Sequence, residues 1–380
     1  MQRGFAQAEF ENRTRRAQEM MHAADLDALV LTTEADVRYF SGYLTRFWES
    51  PSRPWFLVVP AEGKPIAVIP SIGAALMGQT WIDDIRTWRA PDVTDDGVSL
   101  LTDTLNSVAK HSIGTPMGPE SHLRMPLSDW TRVQAGLNAS VRDDAGIVAQ
   151  LRAVKSVAEI SKIEHACAIA GRAFARVPEI AGQGVPLSRV FRDFQRLCLE
   201  EGADWVPYLA GASAKSGYGD VISPASDAPL EAGDVLMLDT GLVWDGYFCD
   251  FDRNFSVGEP SEQTGTAYAR LIGAVDDAVD IVRTGTTAAQ LFHAMDAIVT
   301  GGAGGSDAGR LGHGLGMQLT EGLSLIPDDH TVLEEGMVIT LEPGVEVGAG
   351  KILVHEEDIV ITDGAPRFLS PRAGRDMVQL

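Results

Sequence analysis

Residues 235–255, Val235-Leu-Met-Leu-Asp-Thr-Gly-Leu-Val-Trp-Asp-Gly-Tyr-Phe-Cys-Asp-Phe-Asp-Arg-Asn-Phe255, carry the strongest signal in the chain. The apolar run 235–238 reads as a buried strand. Asp245-Gly246 supplies the two positive-φ residues of a tight hairpin, and residues 247–255 read as the returning strand. A turn centred on Trp244-Asp245 sets Asp239 opposite Asp250; one centred on Asp245-Gly246 sets it opposite Asp252. Either register places Asp239, Asp250 and Asp252 on one face, because facing residues and residues two apart point the same way. Aspartate is disfavoured inside strands. Three carboxylates this close repel unless a cation or protons neutralise them.

A second carboxylate pair follows. Met337-Val-Ile-Thr-Leu-Glu-Pro-Gly344 and Lys351-Ile-Leu-Val-His-Glu-Glu-Asp-Ile-Val-Ile-Thr362 read as strands joined by the turn-forming stretch Val347-Gly-Ala-Gly350. A loop centred near Ala349-Gly350 sets Glu342 opposite Glu357, with His355 on the face of Glu357. Between the two hairpins, Leu311-Gly-His-Gly-Leu-Gly316 places His313 between glycines, which permit close backbone approach. Four carboxylates and one imidazole suit a pair of divalent ions, and such a pair points to metal-assisted hydrolysis.

Asp239-Thr-Gly, Asp250 eleven residues on, Gly312-His313-Gly314, Leu341-Glu342-Pro343-Gly344 and Glu357-Asp358 together resemble the motif set of the pita-bread family. That family includes Xaa-Pro dipeptidases, aminopeptidase P, methionine aminopeptidases, creatinase, ectoine hydrolase and a dimethylsulfoniopropionate lyase. Arg152-Ala-Val-Lys-Ser-Val-Ala-Glu-Ile160 resembles the segment that opens the family's catalytic domain. The resemblance implies a creatinase/prolidase-like α/β N-terminal domain over residues 1–150 and an α+β pita-bread catalytic domain over residues 151–380. It implies two divalent metal ions, manganese first, with iron, cobalt or zinc as the other choices. Asp239 would chelate one ion, His313 and Glu342 the other, and Asp250 and Glu357 would bridge them. Glu342 would be the catalytic proton acceptor.

The residues that surround substrate in prolidase-like members differ. Gly309, Thr320 and Ile222 stand where those members carry histidines. His355 stands in place of an arginine two residues before the last glutamate, and Asp252 in place of a threonine. Tyr218, Asp220, Thr320, Glu321 and His355 are therefore candidates for an altered substrate shell. The aromatic, proline-broken loop over residues 43–55 adds Arg46 and Trp48, since family members are often dimers in which this domain borders the partner's site. The expected activity is dinuclear-metal hydrolysis of a small amide or dipeptide, in the manner of an Xaa-Pro dipeptidase. The alternatives are a metal-dependent lyase with Asp252 as base, a metal-free creatinase-like C–N hydrolase, and a silent binding protein.

The rest of the chain bounds these readings. Its 380 residues suffice for two domains with full cores. A net charge of −22 argues against nucleic acid or an anionic membrane as partner. The first residues lack the apolar core of a signal peptide, and no apolar run reaches membrane-spanning length. Cys167, Cys198 and Cys249 have no metal spacing and fit a reducing cytoplasm, with Cys249 pointing away from the acidic face into the core. A homodimer is expected. Helices are expected over 8–24, 71–80, 97–110, 126–136, 156–178, 187–201, 262–283 and 287–298, with Ser156 and Glu159 spaced as a capping box.

Overall fold

The computed structural model describes residues 2–50, 53–303, 309–348 and 350–380. The chain divides into two compact units, residues 2–152 and residues 153–380.

The first unit is an α/β layer. Its elements run α1 (Gln7–Ala23), β1 (Ala28–Leu31), α2 (Glu34–Ser41), β2 (Phe56–Pro60), β3 (Ile66–Pro70), α3 (Ala74–Met77), β4 (Asp84–Trp88), α4 (Val98–Val108), β5 (Ser112–Thr115), α5 (Leu127–Gly136), β6 (Ser140–Asp143) and α6 (Ile147–Ala153). The sheet has the order β4-β3-β2-β1-β5-β6. Every residue of β1, β2 and β3 is buried, the mark of strands covered on both faces. Val30, Phe56, Val58 and Val68 meet Leu101 and Leu105 of α4 there. The helix expected over 71–80 shortens to a 3-10 turn, Ser71–Gly73, followed by the single turn α3, which Gly78 closes. Glycine carries a helix-propensity cost at both ends of this segment.

The loop carrying Trp48 packs within this unit, and its residues 51 and 52 lie outside the described ones. The Trp48 ring lies 5.8 Å from that of Trp55, and the Arg124 guanidinium sits 4.7 Å over it. Arg124 also donates to the carbonyls of Trp48, Ser50 and Arg53. Trp48 is thus a buried anchor of its own loop, while Arg46 faces solvent and pairs with Glu49.

The second unit is α+β. It contains α7 (Val157–Ala175), α8 (Leu187–Glu200), β7 (Trp205–Lys215), β8 (Asp234–Trp244), β9 (Tyr247–Phe248), β10 (Phe251–Ser256), α9 (Glu262–Ile281), α10 (Ala288–Val299), β11 (Val338–Leu341), β12 (Gly344–Gly348), β13 (Lys351–Val354), β14 (Glu357–Val360), β15 (Arg367–Phe368) and β16 (Val378–Gln379). The main sheet runs β16-β10-β8-β7, antiparallel except for the β10–β16 edge. Helices α9 and α10 pack Leu271, Val275, Leu291, Phe292 and Met295 against Met237, Ile339, Leu341 and Leu353.

Ser156 and Glu159 form both halves of the capping box that starts α7. Two buried polar links then fix α7 to the β8–β9 hairpin. Lys162 pairs with Asp245, and Tyr247 donates to Glu159 at 2.9 Å. In the turn, Asp245 and Gly246 both have positive φ, at 48° and 80°. This two-residue turn pairs Trp244 with Tyr247 and propagates the same register down β10, so Asp239 faces Asp252.

The second hairpin departs from expectation by one residue. At its tip Gly348 pairs with Lys351, the register that would carry Glu342 to Glu357. An irregularity between Glu346 and Gly348 then shifts the pairing, so that Glu346 faces Ile352 and Gly344 faces Val354. The adjoining β11–β14 ladder keeps the shifted register and sets Leu341 against Glu357. Ala349, at the loop centre proposed from sequence, lies outside the described residues. An extra residue in one strand moves every side chain beyond it to the opposite face.

Candidate metal centre

The bulge decides which glutamate joins the cluster. With Gly344 opposite Val354, the extrapolated partner of Glu342 is Glu356, not Glu357. Ligand-capable atoms of Asp250, His313 and Glu356 all lie within 4.8 Å of one another, and all three residues are buried. His313 Nε2 is 3.3 Å from Asp250 Oδ2 and 3.8 Å from Glu356 Oε1. Glu357 faces elsewhere. It pairs with Arg253 at 2.9 Å, accepts from Ser370, and accepts from the Ala373 amide at 2.8 Å. The structure thus brings Glu356, and not the expected Glu357, up to Asp250 and His313. Counted from Glu356, the place of the arginine missing from this chain is Val354 rather than His355.

Asp239 and Glu342 border this trio. Asp239 Oδ2 accepts from the Tyr208 hydroxyl at 3.1 Å, while its Oδ1 has no partner. Glu342 is held through its backbone, whose amide donates to the Leu311 carbonyl at 2.9 Å. Burial first, and then mutual repulsion among Asp239, Asp250, Asp252 and Glu342, push the carboxyls of Asp239, Asp250 and Glu356 well above their ordinary range. Burial and the Asp252 charge bring Glu342 up to about 7.

His313 is held in the posture of a ligand. Burial, then the Arg310 charge, lower its imidazole to about 4, so the ring is neutral near pH 7. Its Nδ1 lies 2.9 Å from the Gly314 carbonyl, which can only accept, so Nδ1 carries the proton. The lone pair on Nε2 then points at Asp250 and Glu356. Oδ1 of Asp239, Oδ1 of Asp250 and Oε1 of Glu356 are buried without partners. Neutral imidazole plus clustered, unsatisfied carboxylate oxygens is a donor set suited to divalent ions, so the residues fit the group.

Glycines bring the histidine in. Gly312 has φ of 137°, and a Cβ there would run into the Thr340 carbonyl oxygen. The Thr340 hydroxyl and amide bind the His313 backbone. Gly312→Ala is expected to displace His313 and to cost about 3 kcal/mol of stability through forced positive φ and overlap. Thermal unfolding with elemental analysis checks this; an unchanged melting temperature and full metal content would refute it.

The other expected substrate residues sit as follows. His355 is buried, with Nδ1 3.5 Å from Asp252 and Nε2 3.3 Å from Glu357. It links the two acids that lie beside the trio. The Tyr218 hydroxyl is spent on Asn254 at 3.0 Å and the Val354 amide at 2.7 Å, which anchors β13. Asp220 is exposed and binds the Ile222 amide of its own loop. Glu321 makes a buried ion pair with Lys155 at 2.9 Å. Thr320 accepts from Arg310 at 3.0 Å.

Sequence reading missed Glu356, Arg310, Tyr208 and Asp358. Asp358 Oδ2 accepts from the Asp250 amide at 3.0 Å and from the Cys167 thiol at 3.2 Å, and so orients the strand end that carries Asp250. Only the glycine in Val347-Gly-Ala-Gly350 hinted at the bulge that selects Glu356.

Comparison with known proteins gives the family. The family model described as metallopeptidase family M24 matches residues 161–363, and that of the creatinase/prolidase N-terminal domain matches residues 13–154. A Mycobacterium tuberculosis protein described as probable dipeptidase PepE is 29% identical over 348 residues, covering 90% of this chain and 89% of its own. The crystal structure of dipeptidase PepE from Mycobacterium ulcerans superposes with a TM-score of 0.85 at 27% identity, covering 99% of both chains. The prolidase of Pyrococcus horikoshii OT3, at 23% identity and TM-score 0.81, covers 95% of this chain and 99% of its own and shares the fold. No helix among the described residues is long and apolar enough to cross a membrane. With the M24 model spanning over half its length, this chain belongs to metallopeptidase family M24, as a metal-dependent hydrolase with an α+β pita-bread catalytic domain and a creatinase/prolidase-type α/β N-terminal domain.

Proposed function

We propose that the protein cleaves the C–N bond of a dipeptide or similarly small amide with two divalent ions, manganese first, in a substrate shell rebuilt relative to Xaa-Pro dipeptidases. The observation that carries this reading is the neutral His313 imidazole aimed, by its lone pair, at Asp250 Oδ2 and at the unsatisfied Oε1 of Glu356, with Asp250 Oδ1 likewise unsatisfied. Asp239 and Asp250 would hold one ion, His313 and Glu342 the other, with Asp250 and Glu356 shared. Such an ion pair supplies a polarised carbonyl and a water made acidic near neutral pH.

The chain's own residues supply the rest. Glu342, brought to about 7 by burial and Asp252, can take a proton from water onto a carboxylate oxygen and return it to the leaving nitrogen. Tyr208 and Asp358 hold Asp239 and Asp250 in place. The relatives described as dipeptidase PepE support a dipeptide as substrate. Residence in the cytoplasm and assembly as a homodimer complete the reading.

Elemental analysis of protein purified without chelator tests it, with Asp250→Ala as control. About two ions per chain, lost in the variant, followed by manganese-dependent cleavage of a dipeptide panel, is the expected result. Failure to retain any ion after addition of manganese or zinc would refute it.

A further inference from the structure

We infer that Cys167 is a positioning residue of the metal centre: its thiol, on α7, sets the spacing of Asp250 and Glu356 by holding the Asp358 carboxylate. The inference rests on the two-ion reading above and names the part of the fold that fixes the carboxylates those ions would share.

Asp250 and Glu356 belong to different sheets. Asp250 lies just before β10 in the main sheet, and Glu356 just before β14 in the three-stranded sheet β11-β14-β15. Their separation is therefore set by the seam between the two sheets. Strand geometry makes Asp250 part of that seam. The Cys249 amide donates to the Leu242 carbonyl at 3.1 Å, and Phe251 pairs with Thr240. Successive amides along an antiparallel strand point to opposite edges. The Asp250 amide thus turns away from β8, and it meets Asp358 Oδ2 of β14 at 3.0 Å. Further along β10, Arg253 donates to the Glu356 carbonyl at 3.1 Å and Asn254 to the Val354 carbonyl at 2.7 Å. These two fasten the seam beyond Asp250; at Asp250 itself the Asp358 carboxylate does so.

The backbone of Asp358 is held by Ser370 and Leu369, at 3.0 Å and 2.8 Å. Its carboxylate is held differently. Oδ2 lies 3.2 Å from the Cys167 thiol, and the buried Oδ1 has no partner. Among the described residues, the thiol is the one donor to this carboxylate besides the Asp250 amide that it serves. Burial, then the Asp358 charge, hold the thiol well above its ordinary range, so it keeps its proton and donates. The other buried thiols are placed otherwise. Cys249 donates to the Thr240 carbonyl at 3.7 Å, and Cys198 lies on α8. Metal–ligand distances tolerate only about 0.2 Å. A carboxylate released from its helix therefore loosens the amide it fixes and, with it, the ligand on that residue.

The test uses the full-length protein, stripped by chelator and titrated with manganese, as native chain, Cys167→Ala, Cys167→Ser and Cys198→Ala. Calorimetry would measure manganese affinity, and electron paramagnetic resonance would separate a coupled pair of manganese ions from isolated ones. Cys167→Ala should weaken manganese binding about 10- to 100-fold and replace the coupled signal by that of isolated ions. Cys167→Ser keeps a donor and should restore most of the affinity and the coupled signal. Cys198→Ala makes the same deletion in α8 and should leave both unchanged. Native affinity and coupling in Cys167→Ala, or a Cys167→Ser protein as impaired as Cys167→Ala, would overturn the inference. So would an equal loss in Cys198→Ala, which would mark general damage to the core. In each of these cases two ions in the native chain, with cleavage of dipeptides, would leave the hydrolase reading intact. The expected pattern without any dipeptide turnover would uphold the inference and overturn the hydrolase reading. A native chain that binds no manganese would overturn both.

Discussion

Replacing Glu356 with alanine is expected to strip the enzyme of bound metal and to lower hydrolysis at least about 10⁴-fold, on the scale of losing a catalytic ion. Glu357→Gln, one residue on, is expected to keep the metal and to weaken the fold instead. The two side chains leave the same strand end in opposite directions. Glu356 has a buried oxygen without a partner, facing His313 and Asp250. Glu357 is fully engaged. Burial by itself would raise its carboxyl, but Arg253, His355 and Ser370 outweigh burial and hold it at about 2. Neutralising Glu357 would leave the mostly buried Arg253 guanidinium without its counter-charge, at a cost of about 3–5 kcal/mol. Elemental analysis and chemical denaturation of both variants separate the outcomes. Metal retained by Glu356→Ala and lost by Glu357→Gln would show that the bulge does not set the ligand.

The second large effect is on the metal-free protein. Stripped by chelator, it is expected to lose stability as pH rises from about 5 to 8, and divalent metal should remove most of that loss. Glu342 and Asp358 stand at about 7 when folded, against ordinary values of 4.5 and 3.8. Burial, then repulsion, also raises Asp239, Asp250 and Glu356 well above their ordinary range. Between the unfolded and folded values the folded state holds more protons than the unfolded one. Raising the pH through that window therefore withdraws stability. For Glu342 alone the difference corresponds to about 3 kcal/mol. His313 acts in the opposite sense below 6.5, because its folded value of about 4 means that unfolding takes up a proton there. One histidine opposes five acids, so the net slope stays negative. Bound ions replace the protons as counter-charge and flatten the profile. Urea midpoints at pH 5 and pH 8, with chelator and with manganese, measure this. A metal-free protein equally stable at both pH values would show that the acids do not share one buried cluster.

Local chemistry in the chain was enough for much of this architecture. Asp245-Gly246 selects a two-residue turn, and that turn alone chooses between the two registers and sets Asp239 against Asp252. Ser156 and Glu159 announce the start of α7 because a capping box needs only residues three apart. Alternating strands and amphipathic helices marked the α/β layer, and the motifs from Asp239 to Glu342 marked the family. Each of these signals acts over a few residues or along one strand.

What lay beyond the sequence depended on contacts between distant segments. The bulge near Gly348 changes which of two adjacent glutamates faces the cluster, since strand parity reverses with one extra residue. Tyr218 looked free for substrate, but Asn254 and the Val354 amide occupy its hydroxyl. Trp48 looked like a reaching side chain, but Arg124 and Trp55 enclose it. Arg310 drew no notice as an arginine in a glycine loop, and its hydrogen bond to Thr320 joins residues ten apart. The sequence by itself determined the fold, the family and the presence of a carboxylate-rich centre, because these follow from turn chemistry, strand period and motif order. Tertiary structure decided which glutamate enters that centre, because that depends on strand register and on a bulge that no local pattern encodes.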